Sequence, residues 1–333
     1  MTYSYALGID LHKKQSTWKL VDKNHKVIFS KTVLCQPKDI EAALVKLPVS
    51  LNGLPVAIEP TCGYRWVDKL LTERGCDMHV ANPYKFRVIA NSKQKTDDAD
   101  AKVLAEFLQL GYLPESWRTP DHIEKRRTLV RVRDSLVKAR TRIKNQIEGL
   151  LTNECPITSR KTLPPDLKFQ ELNSLIKEHT SHIKNFDKEI NRIVIDDPVC
   201  KLLLSVPGVG PISAFAIVAE VGDFSRFPDS SKLASFAGIV PSQRSSGETV
   251  RYGHIVKTGS KLLRTTLIEA AMRFRPPYDH NLNVFFERLK KDRGAMRARV
   301  ALAHKLLTII YSMVKNNKPF VPSYDTAKLG DLF

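Results

Sequence analysis

Apolar and polar positions in the first third of the chain alternate in the way that short strands and helices require. Three runs separated by polar turns predict a meander of strands, and two later apolar runs predict strands with helices between them. The predicted strands are 5–9, 17–21, 26–30, 55–59 and 78–80, and the predicted helices are 39–47 and 68–73. Three strands followed by alternating helices and strands predict an α/β domain with a mixed sheet.

Two segments in the middle of the chain carry apolar side chains at the three- and four-residue spacing of a coiled-coil seam. The first seam is Leu129, Val132, Leu136, Ala139, Ile143 and either Ile147 or Leu150, and the second is Leu172, Ile176, His179, Ile183, Phe186, Ile190 and Ile193. Pro156, Pro164 and Pro165 interrupt the helical pattern between them. The pattern predicts two long helices that form either an antiparallel hairpin or a dimerisation arm.

The last third is mostly helical in pattern. A Pro207-Gly208-Val209-Gly210 turn precedes an apolar helix at 212–221 and resembles a helix–hairpin–helix. A polar segment containing Ser245-Ser246-Gly247 is predicted to be flexible, and spacing alone makes it only a turn. An amphipathic helix is predicted at 300–314, and the chain from Lys315 onward is predicted to be loose.

The composition is ordinary for a globular protein except for its charge. The 333 residues are 42% hydrophobic and 26% charged, but the formal net charge is +18. This excess favours a polyanionic partner, with nucleic acid ahead of an anionic membrane surface. No apolar run reaches the roughly 18 residues of a membrane span, no signal peptide is recognised, and no P-loop suggests ATP. The five scattered cysteines fit a reducing cytosol.

Basic residues cluster in two regions that we expect to contact phosphates. Between residues 121 and 148, four acids are outnumbered by nine bases. The bases are Lys125, Arg126, Arg127, Arg131, Arg133, Lys138, Arg140, Arg142 and Lys144. Arg244, Arg251, Lys257 and Arg264 flank the Ser-Ser-Gly segment. Gly208 and Gly210 would let the backbone approach a phosphate, although a plain helix–helix turn explains them equally well.

Four acids stand at positions suited to metal binding. Asp10 and Glu59 end predicted strands, where a carboxylate is costly unless it is solvated or bound. Asp97 and Asp100 are three residues apart on the first turn of a predicted helix, where they either share a cation or simply cap the helix. The order of these four acids is that of a ribonuclease-H-like nuclease core, which holds two Mg²⁺ ions about 4 Å apart.

Three blocks of this sequence resemble the acidic blocks of the Piv-like DEDD insertion-sequence transposases, the bridge-RNA-guided recombinases. They are Gly8–His12, Ile58–Tyr64 and Lys95–Ala101. The usual second block reads Glu-Ala-Thr-Gly-Gly, so Pro60 and Cys62 are departures that leave the carboxylate of Glu59 in place. The segment 233–271 resembles the C-terminal transposase domain of the same family, whose serine before glycine is the nucleophile.

The resemblance implies a fold, cofactors and partners. It implies a RuvC/RNase-H-like domain at 1–118, a basic coiled-coil arm at 119–198, a small helical transposase domain at 199–315 and a flexible tail at 316–333. It also implies that Asp10, Glu59, Asp97 and Asp100 bind two Mg²⁺ ions, with Mn²⁺ as an alternative, and that Ser246 is the nucleophile. Ser245 remains an alternative. The implied partners are donor and target DNA, a non-coding bridge RNA and further copies of the chain, which form a tetramer. No membrane partner is expected.

The sequence is thus expected to encode a transposase of the bacterial cytosol that exchanges DNA strands through a phosphoserine ester. Such an ester conserves the energy of the phosphodiester bond, which agrees with the missing P-loop. One alternative is a metal-dependent junction endonuclease in which the acids activate water. A second is a non-catalytic RNA-binding protein with a degenerate nuclease fold.

Overall fold

The computed structural model describes residues 3–89, 97–154, 166–246, 249–274 and 279–323. Within these ranges, only the backbone is described at 87–89, 97, 154, 244–246 and 249–250. The chain divides into two compact units, Met1–Arg118 and Thr119–Phe333. Among the described residues, no helix combines the length and the apolar character needed to cross a membrane.

The first unit is built on one five-stranded sheet. Its strands are β1 (Tyr5–Leu11), β2 (Gln15–Asp22), β3 (Val27–Leu34), β4 (Pro55–Ile58) and β5 (Asp77–Val80), and its helices are α1 (Pro37–Leu44), α2 (Tyr64–Glu73), α3 (Pro83–Ile89) and α4 (Asp97–Gln109). The strand order is β3-β2-β1-β4-β5, in which β1 pairs antiparallel with β2 and parallel with β4. The predicted α/β domain with a mixed sheet is therefore confirmed.

The two faces of the central strand β1 pack against different helices. One face contributes three large apolar side chains to a core shared with α1 and α2: Leu7, Ile9 and Leu11. Ala6, on the opposite face, packs in a second core with α4. Because side chains alternate along a strand, Gly8 and Asp10 lie on the same face as Ala6. The sheet therefore places Asp10 on the face that α4 covers.

The second unit is helical and contains one β-hairpin. Its elements are α5 (Asp121–Glu154), α6 (Leu167–Asp196), α7 (Pro198–Leu203), α8 (Pro211–Val221), α9 (Ser230–Ala237), β6 (Pro241–Ser246), β7 (Thr249–Ile255), α10 (Lys261–Arg273), α11 (His280–Arg293) and α12 (Ala295–Asn316). Val130 of α5 and Ile190 of α6 belong to the same hydrophobic core as Phe215 of α8 and Leu302 of α12. The base of the predicted arm thus shares its core with the C-terminal helices.

Helices α5 and α6 form an antiparallel hairpin, one of the two arrangements that the sequence left open. Near its base, Arg126 Nη1 donates to Asp197 Oδ2 over 2.5 Å. Further out, Arg140 Nη1 donates to Thr180 Oγ1 over 3.3 Å. From the first contact to the second, the residue number rises in α5 and falls in α6, so the two helices run antiparallel.

The predicted seam of α5 is correct at its outer end and at Leu129, which packs against the core, but it is wrong at Val132. Ile147 is buried and packs with Phe169 of α6, as the heptad pattern requires. Near the base, Val132 is 41% exposed, whereas Val130 is only 2% exposed. The reason is that the base of α5 turns Val130 toward α8 as well as α6, so a seam drawn for two helices selects Val132 and leaves out Val130.

Residues 241–246 and 249–255 form strands, although the sequence predicted a flexible segment here. Strands β6 and β7 pair antiparallel, with Arg244 opposite Arg251 and Ser246 opposite Thr249. The β-branched and aromatic residues of 249–255 favour a strand, and the polar sequence around the serines obscured this signal.

The chain after α12 also differs from the predicted loose tail as far as residue 323. The backbone N–H of Phe320 donates to the Ser205 hydroxyl over 2.9 Å. The N–H of Ser323 donates to Asp279 Oδ2 over 2.6 Å. Asp279 is buried and also caps the start of α11 through its other carboxylate oxygen. Residues 324–333 of the predicted tail lie outside the described residues.

Candidate functional site

Two of the four predicted acids lie side by side at one end of the sheet in the first unit. Asp10 is the sixth residue of β1 and is 5% exposed. Glu59 directly follows β4, whose last residue, Ile58, pairs with Ile9 in parallel register. Asp10 follows Ile9 and Glu59 follows Ile58, so the two acids come from adjacent positions on neighbouring strands.

A hydrogen bond ties the segment after β4 to the end of β1. The hydroxyl of Thr61 donates to the carbonyl oxygen of Leu11 over 2.6 Å. The N–H of Thr61 in turn donates to the carbonyl oxygen of Glu59 over 2.8 Å. These two contacts hold Glu59 beside Asp10 although β4 has already ended.

Helix α4 lies directly on β1 because Gly8 has no side chain. A Cβ atom at Gly8 would lie 1.9 Å from the carbonyl oxygen of Ala101 and 2.7 Å from the nitrogen of Ala105. At the other end of α4, Gln109 Nε2 donates to the carbonyl oxygen of Tyr3 over 3.1 Å. The helix therefore runs antiparallel to β1, and its first turn points toward Asp10.

This direction brings the second pair of acids, Asp97 and Asp100, to the same end of the sheet. At 1.5 Å per helical residue, position 97 lies about 6 Å before Ala101 along α4. At 3.3 Å per strand residue, Asp10 lies about 7 Å beyond Gly8 along β1. The first turn of α4, with Asp97 and half-buried Asp100, is thus level with Asp10.

Asp98, between the two predicted metal ligands, has a different partner. Its Oδ2 accepts a hydrogen bond from Lys19 Nζ over 2.7 Å, and the same ammonium donates to the Ser30 hydroxyl over 2.7 Å. Lys19 lies on β2 and is 8% exposed. The pair fixes the first turn of α4 to the sheet, a role that sequence reasoning missed. Lys19 alternates with Trp18 and Leu20 along the predicted strand, so the pattern alone did not indicate that it is buried.

The chemistry of these donors suits a hard divalent cation such as Mg²⁺, because all are carboxylate oxygens. In the part of the chain whose side chains are described, no group of three or more His, Cys, Asp and Glu side chains is arranged to hold a metal ion. The side chain of Asp97 lies outside the described residues. Next to the site, His12 Nε2 lies 3.1 Å from Asp10 Oδ2.

The predicted nucleophile lies in the second unit, at the end of β6. Ser246 and Thr249 form the last described backbone pair between β6 and β7. The side chains of Arg244, Ser245 and Ser246 lie outside the described residues, as do residues 247 and 248. Successive positions of a strand belong to opposite faces, so positions 245 and 246 do not share a face.

The base of this hairpin is packed tightly against its neighbours. A Cβ at Gly259 would lie 1.9 Å from the carbonyl oxygen of Phe236, and one at Gly238 would lie 2.3 Å from that of Thr258. The N–H of Val256 donates to the carbonyl oxygen of Val240 over 2.8 Å. The two strands therefore extend from a firmly held base, with positions 245 and 246 at the far end of β6.

Two transposase family models match the chain. The DEDD model of IS110 transposases matches residues 7–156, and the model described as Transposase IS116/IS110/IS902 family matches residues 200–281. The chain belongs to the IS110/IS116 family of insertion-sequence transposases. The first match contains Asp10, Glu59, Asp97 and Asp100, and the second contains Ser246, which confirms the resemblance seen in the sequence. The DEDD domain implies an RNase-H-like fold and a requirement for a divalent metal ion.

Curated relatives extend this family assignment over most of the chain. The transposase for insertion sequence element IS1111A of Coxiella burnetii is 28% identical over 94% of this chain and 90% of its own length. The transposase for IS1328 of Yersinia enterocolitica is 23% identical over 80% of this chain and 85% of its own. The 43.6 kDa protein of insertion element IS110 from Streptomyces coelicolor is 24% identical over 82% of this chain and 81% of its own. The protein is accordingly a DNA transposase.

Four arginines at the base of the arm of this transposase make internal contacts, although they were predicted to bind nucleic acid. Arg127 is 8% exposed and donates to the carbonyl oxygens of Ala219 and Glu220 at the end of α8. Arg131 forms two hydrogen bonds to the carboxylate of Glu220, which is 1% exposed. Arg126 and Arg133 pair with Asp197 and Asp187. These contacts stabilise the fold, and Arg127 is too enclosed to reach a phosphate.

The remaining predicted bases of the arm lie nearer the surface. Lys138 pairs with Asp134, and Arg140 donates to Thr180. The other three are exposed and form no salt bridge among the described residues: Lys125, Arg142 and Lys144. Of the nine predicted bases of α5, these three are the most accessible to a phosphate.

The two glycines of the predicted helix–hairpin–helix differ in their surroundings. Gly208 has φ +83°, and a Cβ there would lie 2.4 Å from the carbonyl oxygen of Ala270, so its close approach is to α10. Gly210, which precedes α8, has open space around its Cβ position. It lies at a cleft of about 300 Å³ that is also lined by Arg133 and Arg273.

Three of the four bases predicted near the serines have described side chains: Arg251, which is exposed, Lys257 and Arg264. Arg264 Nη1 donates to the carbonyl oxygen of Ala237 over 3.3 Å, at the end of α9. Lys257 is exposed in the segment that follows β7. Arg264 therefore supports the base of the hairpin, while Lys257 is free to meet solvent or a ligand.

Proposed function

We propose that this transposase cuts and rejoins DNA through a covalent ester at Ser246, assisted by divalent ions at Asp10, Glu59, Asp97 and Asp100. The observation that supports the acidic site is the antiparallel placement of α4 on β1. It brings three separate stretches of the chain to one end of the sheet. Mg²⁺ is the proposed ion and Mn²⁺ the alternative, because the donors are carboxylates.

In the proposed reaction, the hydroxyl oxygen of Ser246 attacks a DNA phosphorus. A new P–O bond to serine forms, one P–O bond of the strand breaks, and the serine proton leaves with the released DNA hydroxyl. A hydroxyl from a second strand then attacks the phosphoserine, which restores the serine and joins the strands. Bound Mg²⁺ would neutralise charge on the attacked phosphate. Each step exchanges one phosphate ester for another, so ATP is not required.

The proposed partners are donor and target DNA and a non-coding bridge RNA. The support is the resemblance to bridge-RNA-guided recombinases together with the net charge of +18. We further propose a tetramer in which acids and serine come from different subunits. Work on chromosomal DNA would place the protein in the bacterial cytosol, at the nucleoid.

A trapping experiment tests the covalent step. Labelled element-end DNA, the guide RNA and Mg²⁺ are incubated with the full-length protein, denatured and separated on a denaturing gel. We expect a labelled protein–DNA adduct that is absent with Ser246→Ala and retained with Ser245→Ala. Adducts lost only with Ser245→Ala would assign the nucleophile to the neighbouring serine instead.

The same experiment separates the proposal from a junction endonuclease. An endonuclease that activates water would release cut strands without an adduct, and Ser246→Ala would still cleave. Cleavage that survives in both Asp10→Asn and Glu59→Gln would contradict the proposed acidic site. An RNA-binding protein without catalytic activity would show no Mg²⁺-dependent strand breakage at all.

A further inference from the structure

The connection between α11 and α12 concentrates positive charge that the arm and the hairpin do not include. We call residues 288–299 the basic turn. It contains six bases and one acid, Asp292; the bases are Arg288, Lys290, Lys291, Arg293, Arg297 and Arg299. All are exposed except Arg299, which is half-buried. A single residue, Gly294, joins the two helices, so the six bases lie within about two helical turns of it.

Most bases of the basic turn have no acidic partner in the described part of the chain. Lys290 Nζ lies 3.0 Å from Glu287 Oε2. Arg299 Nη1 approaches only the sulfur of Met296, at 3.7 Å. The other four form no salt bridge to a described residue: Arg288, Lys291, Arg293 and Arg297. This differs from the base of the arm, where four arginines contact carboxylates or carbonyl oxygens.

Helix stability does not account for this charge. Bases in the last turn of α11 are favourable to the helix dipole. The same dipole disfavours Arg297, which lies in the first turn of α12, where no acid is present. Arg288 and Lys291 are three residues apart on one helix and repel each other. A bound polyanion would remove both unfavourable effects.

The two helices hold the basic turn on a fixed frame. Leu282 of α11 and Leu302 of α12 are buried in the common core of the second unit. Ala298 of α12 is fully buried only four residues after Gly294. The guanidinium and ammonium groups therefore extend from a rigid support with their charged ends in solvent.

We infer that the basic turn binds the phosphate backbone of a nucleic acid. The inference rests on the proposed function only in taking nucleic acid as the polyanion. DNA and guide RNA present the same phosphodiester groups, so binding experiments with each of them identify the source. The contacts are to the backbone, because arginine and lysine side chains at an exposed turn match phosphate oxygens without selecting a base sequence.

The test compares two full-length variants that lose the same charge. In the first, Arg288, Lys291, Arg293 and Arg297 are all changed to Gln. In the control, four exposed lysines of the first unit are changed to Gln: Lys23, Lys26, Lys38 and Lys46. Fluorescence anisotropy measures the Kd for a labelled DNA duplex and, separately, for a labelled RNA hairpin, over roughly 50–200 mM salt.

We expect the turn variant to bind at least about tenfold more weakly than the wild type. The slope of a plot of log Kd against the logarithm of the salt concentration should fall by about 3. The control variant should stay within about twofold of the wild type. Weakening for DNA alone, for RNA alone or for both supports the inference and names the source. Equal weakening by both variants, or no weakening by the turn variant, overturns it.

Two further measurements keep the outcome interpretable. The turn variant should melt close to the wild-type Tm, because the relief of like-charge repulsion is offset by the loss of the favourable dipole interactions of Lys291 and Arg293. A variant with Arg288, Arg293 and Arg297 changed to Lys keeps the charge and should keep the salt slope. If it loses the slope while the Tm is unchanged, a charge-based contact is excluded. Covalent trapping at Ser246 is a separate assay, so failure there leaves this binding result standing.

Discussion

Gly8 is the residue on which the packing of α4 against β1 depends. The Ala101 carbonyl oxygen occupies the space that a Cβ at this position would need. No other residue type allows the helix backbone to approach the strand this closely. Since α4 carries Asp97 and Asp100, the geometry of the acidic site depends on the absence of a single side chain.

We expect Gly8→Val to lower the free energy of unfolding by about 1–3 kcal/mol, because the helix must move away from the strand. DNA strand cleavage should be lost, since the acids move with the helix. Gly149→Ala is the matched control: this glycine lies within α5 with open space around it, so the change should stabilise the protein by about 0.5–1 kcal/mol. Urea denaturation and a cleavage assay with both variants check this. Wild-type cleavage by Gly8→Val would show that the helix position is unimportant.

The three neighbouring acids at 97, 98 and 100 should respond differently to the same substitution. Asp98 contacts the buried ammonium of Lys19, whereas Asp97 and Asp100 are the proposed metal ligands. We expect Asp98→Asn to retain cleavage within about tenfold of the wild type. Asp97→Asn and Asp100→Asn should lose more than the roughly 10–100-fold typical of outer-shell changes. Cleavage rates at several Mg²⁺ concentrations test this, and equal losses in all three variants would contradict the assignment.

At the level of secondary-structure elements, the base of the arm is fixed to α8 by one charged pair. Arg131 lies half in solvent, but its partner Glu220 is 1% exposed. The hydrogen bonds to this carboxylate raise the pKa of the Arg131 guanidinium, so the arginine stays charged. Removing the arginine would leave a buried carboxylate without this partner.

We expect Arg131→Met to lower the free energy of unfolding by about 3 kcal/mol. The double variant Arg131→Met/Glu220→Leu should recover most of that loss, because no buried charge remains. Arg142→Met, on the exposed part of the same helix, should change the stability by less than about 0.5 kcal/mol. Chemical denaturation of the three variants measures these differences. A double variant no more stable than the single one would refute the explanation.

The junction between α6 and α7 should make stability depend on pH. Burial by itself would raise the pKa of Asp197. Hydrogen bonds from the Cys200 N–H and from Arg126 outweigh that effect and lower the pKa. A carboxyl group whose pKa is lower in the folded state stabilises the protein at pH values above its unfolded-state pKa, which is about 4. That stabilisation is lost as the pH falls through the folded-state pKa.

We therefore expect Asp197→Asn to be less stable than the wild type at pH 7, with a difference that shrinks as the pH falls below about 4. Asparagine is as good an N-cap as aspartate, so the comparison isolates the charge. Urea denaturation at a series of pH values gives the difference directly. A difference that is constant with pH would mean that the carboxylate charge contributes nothing.

At the level of the whole molecule, the proposed composite site can be tested by mixing inactive proteins. Asp97→Ala keeps the serine and Ser246→Ala keeps the acids, so neither alone should exchange strands. If one site takes its acids and its serine from different subunits, mixed oligomers contain some complete sites, and recombination should partly recover. Each variant alone and the co-assembled mixture are assayed on the same DNA. No recovery in verified mixed oligomers would indicate that each chain supplies a complete site.

Much of the first unit could be predicted from the sequence. The strands β1, β4 and β5 were placed within two residues of their observed ends, because short apolar runs between polar turns have few alternatives. The acids at 10 and 59 were singled out because a carboxylate at a strand end needs a partner. Lys19 was overlooked because its partner Asp98 is 79 residues away along the chain.

The second unit was harder to predict, because its contacts come from several elements at once. The heptad pattern located both arm helices, but it could not show that Val130 packs toward α8. The basic face of α5 suggested nucleic acid, although Arg127 and Arg131 bind groups of α8 that are 93 and 89 residues further along the chain. Charge is visible in a sequence, whereas the neutralising partner is supplied only by folding.

The sequence alone determined the family, the mixed sheet and the identity of the candidate acids and serine, because these follow from local pattern and from short motifs. The tertiary structure decided which charges are neutralised inside the protein and which remain in solvent. It also decided that α4 runs antiparallel to β1, with its first turn level with Asp10. The physical reason is that burial, ion pairing and backbone contact depend on residues that are distant along the chain.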